Sequence, residues 1–302
     1  MRLVDCFLYN NEDLILEVRL NTLNEHVDNF VIVESKFDHQ GNKKNLNFNF
    51  SDYKKFEHKI KYLVIDKFPE NMSSWDRENY QRNYINKGIQ EFNEDDYIMI
   101  SDVDEIPNLK EIKNLDKYKF TVFQQKLFYY KFNLLNDRIF WYGTKGAKKK
   151  YIKSISDLRH IKPKKYPIWR IDTLFSKNKF SNLKIIKNGG WHFTQLKKPE
   201  DLFEKIKNDE HHNEFDKLNI NIDHIKNMID NKFIEYDHLS DSTSTSKIGN
   251  RFKLKSVFSL ILCLNFSANN FQFTSNQFLV LLLWLGSSRN CTSESPPDCF
   301  AK

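Results

Sequence analysis

The chain has 302 residues, 40% of them hydrophobic and 29% charged. That much apolar material excludes wholesale disorder, and 8 Gly with 7 Pro exclude a collagen-like or linker-dominated chain. The formal charge of +7 comes from 47 basic against 40 acidic residues, mostly scattered, so no nucleic-acid partner is expected.

The first hundred residues alternate strand and helix patterns. Residues 3–9 read as a strand with Asp5 inside an apolar run. Asn10-Asn11 can cap a helix over 12–23, with Leu16, Leu20 and Leu23 on one face. Residues 30–33 form a short buried strand ending at Glu34, and a polar loop runs to Asn49. Residues 60–65 are a third strand and 75–92 a helix. A fourth strand, 97–100, runs into Ser101-Asp102-Val103-Asp104-Glu105-Ile106-Pro107. Repeated strand–helix units predict a mainly parallel α/β sheet, with ligands beyond the carboxyl ends of its strands.

After Pro107 the pattern changes. Residues 120–123 and 126–132 read as adjacent strands and 139–142 as another. Residues 145–165 are a basic stretch, most simply a solvated face. Gly189-Gly190-Trp191-His192-Phe193 is a short strand with a tight entry, and 199–208 a helix opening on Pro199, Glu200 and Asp201. Near Ser240 the composition shifts. Residues 251–302 carry seven charges and three of the four Cys. Two domains are expected: a catalytic domain over 1–240 and an apolar, low-charge extension over 241–302, which can make a peripheral membrane contact. No signal peptide, disulfide framework or transmembrane-length apolar run is evident, so a reducing, cytoplasmic location is expected.

Four groups of residues can carry chemistry. Alternating carboxylates at the end of a buried strand, Asp102 and Asp104, can converge on one hard cation, Mn²⁺ or Mg²⁺, which keeps open positions for phosphate oxygens. His192 can add an imidazole from late in the chain. Arg77 or Arg82 can reach a diphosphate bidentately, or Arg82 can simply pair with Glu78 one helical turn away. Tyr129, Tyr130, Trp141, Trp169 and Trp191 can stack on sugar rings or fill the core. A bare Asp-x-Asp after an apolar strand also fits a haloacid-dehalogenase-like phosphohydrolase with Asp102 as nucleophile. A third reading is a non-catalytic carbohydrate-binding protein.

Four ordered blocks resemble glycosyltransferase family 17, the β-1,4-mannosyl-glycoprotein 4-β-N-acetylglucosaminyltransferases. They are Asp5 to Glu12 with Leu16 to Leu20; Val27 to Ser35; Trp75 to Asn83 with Asp96 and the Ser101–Pro107 segment; and Gly190 to Phe193. Arg159 falls where the family has a late Arg. The resemblance covers about residues 3–215. It implies a GT-A-like nucleotide-diphospho-sugar transferase fold with a central mostly parallel sheet, and inverting transfer from UDP-GlcNAc to a glycan acceptor. It also implies that Asp104 binds a metal directly, Asp102 contacts ribose or metal, and His192 ligates. Glu34 is a further candidate for donor binding. A carboxylate must deprotonate the acceptor hydroxyl; Glu105, Glu200, Asp201 and Asp209 are candidates, with Glu105 and Asp201 the leading pair.

Overall fold

The computed structural model describes residues 1–38, 40–110, 114–208, 221–236 and 248–257. All of them lie within one compact unit, Met1–Leu264.

Strands β1 (Leu3–Leu8), β2 (Asn29–Ser35), β3 (Ile60–Ile65) and β4 (Tyr97–Asp102) pair in parallel. β6 (Phe120–Phe123), β9 (Lys145–Lys148) and β10 (Leu183–Ile186) complete a seven-stranded sheet in the order β10-β6-β9-β4-β1-β2-β3. Among these strands β9 alone runs against its neighbours. The polarity follows from chain length. Helices α1 (Asp13–Leu23) and α2 (Ser74–Ile89) supply the long crossovers that parallel strands need.

Each central strand alternates. Val4, Cys6, Val31, Val33, Ile98 and Ile100 share one core with Ile85 and Ile89 of α2. Asp5, Phe7 and Ser101 project to the opposite face, where α1 buries Leu16, Leu20 and Leu23. Ser73 caps α2 through a reciprocal contact with Asp76. Cys6 is a buried thiol; the other three Cys lie outside the described residues.

A second sheet, β14-β8-β7-β11-β5, is built from β5 (Glu105–Pro107), β7 (Gln125–Tyr129), β8 (Leu134–Trp141), β11 (Gly190–Thr194) and β14 (Lys255–Ser256). Its core, with Leu127, Tyr129, Tyr130 and Leu134, packs on Leu202 of α5 (Pro199–Asn208) and on the helix Ile222–Asp230.

Two expectations are corrected. The adjacent strands of the 120–132 region belong to different sheets, because Gln124 between them bonds to the backbone of Ile186 and Gly189. The basic stretch is not all solvated: Lys145–Lys148 forms a strand inside the first sheet, with Gly146 and Ala147 small enough to pack there. β12 (Phe233–Tyr236) pairs with β13 (Ile248–Lys253), and β14 pairs with β8. The apolar segments beyond residue 257 lie outside the described residues.

Candidate active site

Strand order places the site. β2 lies on one side of β1 and β4 on the other: the chain runs outward from β1 through β2 to β3 and then crosses back past β1 to β4. A crevice opens at the carboxyl ends of two such strands. Leu8 of β1 is in register with Asp102 of β4. The crevice is therefore bounded by Asn10 to Glu12 on one side and Asp102 to Glu105 on the other.

A buried arginine holds the turn after β4. Arg19, on the apolar face of α1, is fully buried. Its Nε and Nη2 donate to both Asp5 oxygens at 2.8 and 2.7 Å. Its Nη1 donates to the carbonyls of Asp102, Val103 and Glu105 at 3.0, 3.1 and 2.9 Å. Nη2 also meets the Ser101 hydroxyl at 2.5 Å.

A second arginine collects the acids. Arg159, at the end of α3 (Ile155–Arg159), donates from Nη1 and Nη2 to the two Glu105 oxygens at 2.6 and 2.8 Å. Its Nη2 also meets Asp102 Oδ2 at 2.6 Å. Arg82 of α2 pairs with Glu78 at 2.6 Å and reaches Asp102 Oδ1 at 3.5 Å. Lys145 donates to the Arg159 carbonyl. Burial and the neighbouring Arg159 hold the Lys145 ammonium down at about 8.

β11 brings in the imidazole. Its antiparallel register with β5 sets His192 opposite Glu105, and the Phe193 N–H donates to the Asp104 carbonyl at 2.9 Å. This contact requires a glycine at 190. Its φ is +128°, and a Cβ there would stand 2.1 Å from the Ile106 carbonyl oxygen. His192 Nε2 faces Asp104 Oδ2 at 3.5 Å, and the Trp141 ring lies 4.8 Å from the imidazole. Burial pushes the His192 pKa down, but the carboxylates, led by Asp104, leave it raised. Its Nδ1 is buried without a partner among the described residues.

Asp102, Asp104, Glu105, Arg82 and His192 thus come together, and their roles divide. Asp104 and His192 face one another and are the residues here that could hold a hard cation. Among the described residues no cluster of three His, Cys, Asp or Glu side chains forms around one point. Asp102 does not join the pair, because Arg159 and Arg82 hold its carboxylate. Glu105 is not placed as a base. It is fully buried and accepts from Arg159, from Trp141 Nε1 at 2.5 Å and from the Asp102 N–H at 2.9 Å. Burial opposes its ionisation, but Arg159 prevails and holds its pKa at about 2, too low for proton abstraction near neutrality.

Other expected residues serve the walls. Glu34 is buried and accepts from Lys44, Asn47, Phe48 and Tyr62, which pins the loop after β2 and leaves it no capacity for a donor. Arg77 lies with its guanidinium against Gly41 of that loop. Asp201 is exposed in the first turn of α5, and Glu200 beside it pairs with Lys226 at 3.2 Å. Asp209 lies outside the described residues. Tyr129 and Tyr130 are buried core, not sugar platforms.

Glu12 lies on the opposite lip of the crevice and was not singled out from the sequence. Asn11 before it has φ +64°, which turns the chain into α1. The Glu12 carboxylate does not cap α1. It accepts the Asn10 N–H at 2.8 Å instead. Burial raises its pKa to about 7; Asn10, Lys205 and Lys197 oppose the rise, and Asp104 adds to it. The sequence signal was a Glu where Ser, Thr, Asn or Asp is the usual cap.

The profile of glycosyltransferase family 17 matches residues 1–231. The chain belongs to that family. The phosphohydrolase alternative falls with that assignment. The human β-1,4-mannosyl-glycoprotein 4-β-N-acetylglucosaminyltransferase is 29% identical over 116 residues, covering 35% of this chain and 22% of that protein. The rat enzyme of the same name matches to the same extent. The chain thus spans about a fifth of the length of these relatives. Among solved structures, GlyE, a glycosyltransferase of Streptococcus pneumoniae TIGR4, aligns over 98% of this chain and 66% of its own, at 13% identity and TM-score 0.33. A glycosyltransferase involved in glycosylation of the major capsid of PBCV-1 aligns over 49% and 60%, at 12% identity and TM-score 0.25.

Proposed function

We propose that the chain is a metal-dependent, inverting glycosyltransferase of GT-A type. It moves a sugar, with UDP-GlcNAc as donor, to a hydroxyl of a glycan acceptor. The observation that carries this reading is the facing pair Asp104 and His192 at the carboxyl end of β4, beside two arginines and at the strand-order reversal. Asp104 and His192 would hold Mn²⁺ or Mg²⁺. An ion held there would stabilise the charge that builds on a departing diphosphate.

The chain's own residues do the rest. Arg159 and Arg82 keep Asp102 oriented toward the crevice, where its half-exposed carboxylate can take a ribose hydroxyl. Their guanidiniums add positive field on the diphosphate side. Trp141 walls the imidazole. Inversion needs a base on the face opposite the leaving group, and the environment of Glu12 suits it: a carboxyl poised near 7, across the crevice from Asp104.

The test is UDP release from UDP-sugars, with and without Mn²⁺ and candidate glycans. Activity should need the ion, and Asp104→Ala should abolish both ion-dependent UDP binding and turnover. Full activity in Asp104→Ala would overturn the assignment.

A further inference from the structure

The loop that follows α3 carries an exposed apolar surface. Ile168, Trp169, Ile171 and Phe175 are 85, 81, 72 and 85% exposed. Isolated exposed apolar residues are ordinary, but four large ones within eight positions mark an interaction site. The loop is built to present them. Its base is closed by Lys162 N–H to the Asn178 carbonyl at 2.9 Å and by Tyr166 N–H to the Phe180 carbonyl at 3.1 Å. Buried Tyr166 and Thr173 anchor it inward, and the Thr173 hydroxyl donates to the Arg170 carbonyl at 2.7 Å.

The charge around these side chains has one sign. Residues 162–179 contain six basic side chains and one acid, Asp172. Arg170 and Lys179 both pair with that acid, at 2.7 and 3.2 Å. Lys162, Lys164, Lys165 and Lys177 stand exposed beside it.

We propose that this loop docks the protein on an anionic lipid bilayer, inserting Ile168, Trp169, Ile171 and Phe175 at the interface while the lysines meet the headgroups. An amphipathic tryptophan among aliphatic residues, ringed by lysine, is the chemistry of interfacial binding. Sugar recognition would pair the indole with hydrogen-bonding acids or amides; here the neighbours are isoleucines, and Asp172 is already engaged. A second copy of the chain would bring two lysine clusters together at an energetic cost. The described residues contain no helix long and apolar enough to cross a membrane. This inference does not depend on the proposed reaction.

The test is co-sedimentation of the full chain with equimolar phosphatidylglycerol/phosphatidylcholine vesicles, and with phosphatidylcholine alone. Binding should need the anionic lipid and weaken as salt rises. Lys164→Gln/Lys165→Gln should lower the partition coefficient by about tenfold or more, at about fivefold per lysine near the surface. Ile168→Glu/Phe175→Glu should abolish it with an unchanged thermal melt and unchanged UDP release. The proposal is overturned if that variant binds like wild type, or if neutral vesicles bind equally well. It is also overturned if the loop variants instead abolish self-association in sedimentation velocity or glycan binding, with no vesicle binding by wild type.

Discussion

Replacing Arg19 by methionine tests how the acidic turn is held. The side chain is fully buried, and its removal strands the equally buried Asp5 carboxylate with no counter-charge. Breaking a buried pair from one side costs about 3–5 kcal/mol. Three carbonyls, of Asp102, Val103 and Glu105, also lose their donor. Against a total stability of about 5–15 kcal/mol, Arg19→Met should fold only marginally, with Tm lower by something on the order of 10 °C. Asp5→Leu/Arg19→Met removes both charges and should recover about 2 kcal/mol or more relative to the sum of the single changes. The two readouts then separate. Urea denaturation should show the recovery, while ion-dependent UDP binding should stay weak in the double variant, because the turn carbonyls remain undirected. An Arg19→Met protein within about 1 kcal/mol of wild type would refute the reasoning. So would a double variant as unstable as the two singles added.

Two further outcomes follow from the same geometry. His192→Gln should weaken Mn²⁺-dependent UDP binding by roughly tenfold or more in calorimetry, with little change in metal-independent UDP binding. Gly190→Ala forces a methyl into the Ile106 carbonyl at a backbone angle alanine disfavours; a loss of about 2 kcal/mol or more is expected by urea denaturation, along with weaker metal binding as β11 moves off β5.

The strands and crossovers of the first hundred residues could be read from the chain because their signals are local. Apolar runs of four to six residues alternate with helical periodicity, and the two kinds of evidence agree. Asp102 and Asp104 were visible for the same reason, as carboxylates directly after such a run. His192 is legible in the chain only as a candidate imidazole, and nothing in the chain shows that Arg159 meets Asp102. Arg159 lies 57 residues beyond Asp102 and His192 lies 88 beyond Asp104, and only the pairing of β4 with β9 and of β5 with β11 brings those segments in. Lys145 misled because a lysine-rich stretch reads as solvated unless its small neighbours, Gly146 and Ala147, are taken as the mark of a central strand. Glu105 is legible as a carboxylate close to Asp102 and Asp104, but closeness in sequence says nothing about how many donors already surround it. Arg19 carried a signal that could have been used: an arginine three residues after Leu16 and four before Leu23 stands on the buried face of its helix.

The assignment of Glu12 has a signature that separates a working base from a structural acid. Its pKa in the folded chain is about 7, against an ordinary value of 4.5. The neutral form is therefore the one the fold prefers, and stability falls as pH rises from 4.5 through 7. The shift of 2.5 would cost roughly 3 kcal/mol at full ionisation, and partial exposure reduces that to about 1–2 kcal/mol. Glu12→Gln should accordingly raise stability at pH 8 and leave it nearly unchanged at pH 4. A base must be ionised to act, so kcat/KM of the wild type should climb with pH to a plateau above about 7. The glutamine variant should lose about 10²–10⁴ in kcat and the climb with it. Gain of stability and loss of rate from one substitution is the pattern of a group held in an unfavourable state for its chemistry. Equal stability differences at pH 4 and pH 8 would show that the carboxyl is not perturbed. A variant that keeps both its rate and its pH dependence would place the base on another residue.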